Sequence, residues 1–81
     1  AEAHNNLGTI YHEQGMIDDA IREYLITLRL DSNLVDVHYN LGFAYKMKGL
    51  IDEARREFEI LLKLKPDFTP AKEAIKALER E

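Results

Sequence analysis

The chain contains no cysteine, which excludes disulfide bonds, thiolate-held zinc and a thiol nucleophile, and leaves the redox compartment unmarked. Its one serine is Ser32, between Asp31 and Asn33 in a turn-like run with no histidine nearby in sequence. A serine hydrolase reading has little to stand on. No apolar run approaches the roughly 18 residues that a membrane-spanning helix needs. The opening AEAHNNLGTI carries neither a signal-peptide nor a basic targeting pattern, and no membrane partner is expected. Positive charge is also scarce. Eleven basic against fifteen acidic side chains give a net charge of -4, which repels a polyphosphate rather than collecting it, and no nucleic-acid partner is expected. At 81 residues there is room for one small domain, whose core supplies a few kcal/mol at best. A regular architecture must make up the difference.

What the chain does have is an internal repeat. Shifted by 34 residues, it superposes fourteen identical residues: His4, Asn6, Leu7, Gly8, Tyr11, Gly15, Ile17, Asp18, Ala20, Arg22, Glu23, Ile26, Leu28 and Leu30 fall on His38, Asn40, Leu41, Gly42, Tyr45, Gly49, Ile51, Asp52, Ala54, Arg56, Glu57, Ile60, Leu62 and Leu64. The organisation this implies is a single repeat domain over residues 1–81, with units at 1–34 and 35–68 and a final half-unit at 69–81.

Each unit reads as two helices and a tight turn. Leu7, Ile10, Tyr11 and Leu41, Ala44, Tyr45 recur at the three-and-four spacing of a buried stripe, and Gly15 and Gly49 end those helices. Asp18 and Asp52 are the expected N-caps of the second helices, whose apolar pattern continues through Ala20, Tyr24, Leu28 and Ala54, Phe58, Leu62. Thr69 followed by Pro70 predicts the N-cap and first turn of a fifth helix, with Ala71, Ala74, Ile75 and Leu78 on its apolar side and charged residues elsewhere. That helix is expected to cap the stack.

In this spacing the chain resembles the tetratricopeptide repeat along its full length. The residues that carry the resemblance are His4, Leu7-Gly8, Tyr11, Ala20, Tyr24 and Ser32, then His38, Leu41-Gly42, Tyr45, Ala54, Phe58 and Pro66. Two departures stand out: histidine replaces the usual tryptophan in both copies, and Thr27 and Leu61 stand where the family usually has alanine. The resemblance implies an all-α fold, two helix-turn-helix repeats plus a terminal capping helix stacked as a right-handed superhelical solenoid. It also implies protein-protein interaction, with a peptide held in the concave groove lined by the first helix of each repeat. The physical logic stands apart from the name: Gly8 with Ala20, and Gly42 with Ala54, let two helices cross closely while Tyr24 and Phe58 fill the wedge.

At about 100° per residue, the first helix of the second unit turns His38, Leu41, Gly42 and Tyr45 toward its partner helix, and Val37 and Ala44 toward the preceding unit. The remaining face holds Asp36, Tyr39, Asn40, Phe43, Lys46 and Met47; the first unit has Glu2, Asn5, Asn6, Thr9, His12 and Glu13 there. These twelve residues are the candidate peptide-binding site. Tyr39, Phe43 and Met47 form an apolar stripe expected to lie uncovered and to anchor an apolar side chain. Asn5, Asn6 and Asn40 offer paired donors and acceptors to a peptide backbone, or tie neighbouring helices together. Glu2, Glu13 and Asp36 favour a ligand with basic or neutral flanks. The acidic excess belongs to the first unit, with two basic and six acidic residues against six and six in the second. The clamp that chaperone-tail binders of this family use for terminal carboxylates would fall on Asn5, Thr9, Asn40, Pro70 and Ala74; only Asn40 matches, so that activity is not expected.

Chemistry is thin elsewhere. His12-Glu13 resembles the start of a zinc-protease helix, but Met16 stands where the second imidazole belongs. His4 and His38 are expected to pack in the core, and the four glycines are too far apart to cradle a phosphate. No metal, cofactor or enzymatic activity is expected. The alternative to a peptide module is a structural one, a segment of a longer solenoid that self-associates through exposed repeat ends. A start without Met on the first residue of a repeat favours an excised piece, which would leave the Ala3, Leu7 and Ile10 side without its neighbour.

Overall fold

The computed structural model describes residues 2–80, with the side chains of Glu2 and Ala3 outside the description. Five helices follow one another: α1 (Glu2–Glu13), α2 (Ile17–Leu30), α3 (Val35–Met47), α4 (Ile51–Leu64) and α5 (Thr69–Glu79). No strand occurs among the described residues. The first four helices form two hairpins, α1 with α2 and α3 with α4; α2 packs on α3, and α5 packs on α4.

Both hairpins turn by the same device. Gly15 and Gly49 adopt left-handed backbone, at φ 79° and 82°. The amide of Met16 then donates to the Tyr11 carbonyl at 2.8 Å, and that of Leu50 to the Tyr45 carbonyl at 2.9 Å. This six-to-one closure satisfies carbonyls that the end of a helix would otherwise leave open. The following helix begins sooner than the carboxylates suggested. Met16 and Leu50, not Asp18 and Asp52, hold the N-cap positions, with no side-chain capping bond. The six-to-one closure brings the chain into helix geometry at once, so each aspartate falls inside the first turn, where its charge favours the helix dipole. A similar shift places Phe68 at the N-cap of α5 and Thr69 as its first helical residue. The Phe68 ring is half-buried against Tyr39, with centroids 5.6 Å apart.

The hairpins close tightly because glycine faces an aromatic ring. A Cβ on Gly8 would lie 2.6 Å from Cε1 of Tyr24, and one on Gly42 would lie 2.6 Å from Cε1 of Phe58. Around these crossings two apolar clusters form. Ala20, Tyr24, Val37, Leu41 and Ala44 lock α2 to α3, and Ala54, Phe58, Ala74 and Leu78 lock α4 to α5. Leu41, expected to face its partner helix, belongs to the cluster with α2 and so joins the two units. Thr27 is fully buried, and its hydroxyl donates to the Glu23 carbonyl at 2.9 Å, which makes threonine acceptable where a small apolar residue would otherwise sit.

The repeat also brings out a difference between α1 and α3. Leu41 and Ala44 are fully buried, whereas their 34-residue equivalents Leu7 and Ile10 are 36% and 49% exposed. The other end is different: α5 buries Ala71, Ala74 and Leu78 and turns Lys72, Glu73, Lys76, Glu79 and Arg80 outward.

Candidate functional site

The twelve candidate residues lie on the first helices of the two units, and the structure distributes them in three groups. The first group surrounds a pocket of about 490 Å³ where α1 meets the start of α3, lined by Asn5, Asn6, Asn33, Leu34, Val35, Asp36 and Val37. Asn6 and Asp36 are exposed. Asn5 is half-buried, and its side-chain oxygen is buried without a hydrogen-bond partner. Such an acceptor carries a desolvation cost until a donor reaches it. The side chain of Glu2 lies outside the described residues.

The second group links the far ends of the same helices. His12 Nε2 lies 2.9 Å from the Met47 sulfur, joining the last turn of α1 to that of α3. Met47 is 60% exposed, and Glu13 is exposed beside His12. Thr9 turns back to its own helix, donating to the Asn5 carbonyl at 3.1 Å, with the Tyr24 hydroxyl 3.4 Å away. Burial raises the Tyr24 phenol above its ordinary range, and the bond to Thr9 partly offsets this. Lys46 and Asn40 are half-buried.

The third group corrects an expectation. Tyr39 and Phe43 were expected to lie uncovered with Met47; instead both rings are half-buried. Tyr39 meets Phe43 edge to face at 4.8 Å between centroids, Phe43 meets Phe58 at 5.3 Å, and both pack against the α4–α5 cluster. The reason is the docking of α5 and of Phe68 before it, which brings a fourth ring onto Tyr39. The accessible part of this stripe is therefore Met47 with the remaining edges of Tyr39 and Phe43.

Sequence reasoning missed one recurring constellation. His4 Nδ1 lies 2.8 Å from Glu23 Oε1, and His38 Nδ1 lies 2.8 Å from Glu57 Oε1. All four residues are among the identities at the 34-residue shift. The signal was present as a conserved pair spacing within the chain, but which helices would cross there was not. The expectation that both histidines pack in the core holds only for His38, which is 6% exposed, whereas the His4 side chain is 43% exposed. His38 is further engaged by the Ser32 carbonyl, 2.9 Å from its Nε2. A carboxylate and a carbonyl can only accept, so the two contacts suit the imidazolium form, which donates from both ring nitrogens, between α4 and the α2–α3 turn.

The bond to Glu57 raises the His38 pKa above its ordinary 6.5, burial opposes the shift, and Ser32 adds to it. A group whose folded pKa is raised stabilises the fold fully below its unfolded pKa and loses that contribution as pH rises through the folded value. Urea midpoints of the wild-type chain should therefore fall, relative to those of His38→Gln, from near pH 6.5 upward. Parallel curves for the two proteins across that window would contradict the clamp.

No curated protein matches the chain. A family model described as TPR repeat matches residues 8–49, and a second, described as Tetratricopeptide repeat, matches residues 35–68. Such repeats form a non-catalytic family and are in general modules of protein-protein interaction. The glycine-on-ring crossings, the twinned glycine turns and the 34-residue register agree with both matches, and the chain belongs to the tetratricopeptide repeat family.

Proposed function

We propose that the chain binds a peptide segment of a protein partner along the face shared by α1 and α3. The observation that carries this reading is the pocket of about 490 Å³ between those helices, lined by three candidate residues, Asn5, Asn6 and Asp36. Its size falls within the range of about 300–1,000 Å³ usual for ligand sites. Met47, together with the open edges of Tyr39 and Phe43, supplies the apolar part of the groove, and Asn40 and Lys46 lie between. Thioether and aromatic surfaces of this kind adapt to varied apolar side chains.

A selection of random peptides on the purified chain tests the proposal, with Met47→Glu in parallel. Met47 is exposed, so its replacement leaves the fold in place, which circular dichroism verifies. Wild type should enrich a consensus containing an apolar residue, and the variant should bind the consensus peptide about tenfold or more weakly. Failure of the wild type to enrich any sequence would refute peptide binding.

A second reading is supported by the open side of α1. Leu7 and Ile10 are exposed where Leu41 and Ala44 are buried, so α1 has the surface of a helix that stacks on the second helix of another unit. Under this reading the chain is a segment of a longer solenoid or self-associates. Light scattering distinguishes the two: a monomer at high concentration counts against self-association, and loss of any oligomer in Ile10→Glu supports it.

A further inference from the structure

The pocket at the junction of the two units has a chemistry more specific than a general groove. Its polar rim is made of three amides and a carboxylate: Asn5, Asn6 and Asn33, and Asp36. Its apolar wall is Leu34 with Val35. No lysine or arginine lines it, and Asp36 has no ion-pair partner among the described residues. We propose that this pocket receives one basic side chain, lysine or arginine, of the bound segment. This rests on the peptide-binding reading.

Three features select that occupant. Asn6 and Asn33 are exposed there and offer amide oxygens that accept from a cationic head. Asp36 needs a cation more than a neutral amide, and a charge-assisted bond to a carboxylate is about twice as strong as a neutral one. The apolar wall suits the methylene stem that lysine and arginine lay along a hydrophobic surface while the head reaches polar groups. An acidic side chain would instead meet the Asp36 carboxylate. The α3 N-terminus favours anions on its own, but Asp36 stands in its first turn and offsets that partial positive charge. The long-range field agrees, since the first unit carries six acidic and two basic residues.

The test uses the peptides that wild type enriches. The consensus should contain one fixed lysine or arginine. Its replacement by norleucine, which keeps the stem and removes the charge, should weaken binding to wild type about tenfold in fluorescence anisotropy and little to Asp36→Asn, a coupling that assigns the cation to this pocket. Asp36 is exposed, so the variant keeps its fold, and raised salt should shrink the difference. A consensus with no basic position, or a norleucine penalty equal in both proteins, overturns the pocket assignment while peptide binding stands. A consensus with a fixed acidic residue lost in neither protein overturns it as well. If wild type enriches nothing, both proposals fall together.

Discussion

Phe58→Ala should leave a large fraction of the chain unfolded without denaturant. Phe58 is fully buried, and truncating a buried phenylalanine to alanine costs about 3–5 kcal/mol. At about 0.05–0.15 kcal/mol per residue, a chain of 81 residues has a total stability of the same order. The ring is also the point where several elements meet. It faces Gly42 across the hairpin, packs edge to face with Phe43, and joins Ala54 to Ala74 and Leu78 of α5. Its loss empties the crossing and the seat of the last helix together. Far-ultraviolet circular dichroism should show reduced helicity, and the urea transition should move toward zero denaturant. A Phe58→Leu variant, which refills most of the space, should recover much of the loss. A wild-type midpoint for Phe58→Ala would mean that the α4–α5 cluster does not hold the fold.

Gly42→Ala should destabilise where the same change in an open helix would stabilise. Alanine is favoured over glycine in a helix interior by about 1 kcal/mol, so the ordinary expectation has the opposite sign. Here the new methyl would lie 2.6, 2.7 and 3.0 Å from three atoms of the Phe58 ring. The ring has little room to retreat, because Tyr39 and Phe43 flank it with centroids 6.1 and 5.3 Å away. Overpacking of this kind costs about 1–3 kcal/mol, and the hairpin must open to relieve it. Gly8→Ala should repeat the effect against Tyr24, whose nearest ring atoms would lie 2.6, 2.8 and 3.2 Å from the new methyl. Gly49→Ala provides the contrast, since nothing lies within 4 Å there and its left-handed φ of 82° alone opposes a side chain. Thermal denaturation of the three variants separates the causes. Combining Gly42→Ala with Phe58→Leu should cost less than the sum of the two single changes, because the smaller side chain makes room for the methyl.

The helices, the glycine turns and the close crossings were legible in the sequence because burial and backbone conformation repeat with the chain. Leu41 is apolar for the same reason in any neighbouring context, and Gly15 and Gly49 mark left-handed residues that few others tolerate. The helix starts were less legible. A carboxylate near a helix N-terminus serves either as a cap or as a partner for the dipole, and only the closure of the preceding turn decides between them. The candidate site was legible as a face and not as a surface. Periodicity places Tyr39 and Phe43 beside Met47, but whether a ring is open depends on Phe68 and α5, which arrive from the next half-unit. Likewise, Asn33 and Leu34 entered the pocket from a turn whose position depends on how α2 crosses α3. The repeated His-Glu spacing was visible in the letters; the clamp it makes with Ser32 was not.

The unequal ends give the molecule a direction. Leu7 and Ile10 present an adhesive side, while α5 seals the opposite end with lysines, arginine and glutamates. A helix placed beside α1 would meet Leu7 and Ile10, whereas one placed against the outer side of α5 would meet Lys72, Glu73, Lys76, Glu79 and Arg80. Contact at the two ends would therefore differ in kind: at α1 it would remove apolar surface from water, and at α5 it would have to desolvate charge.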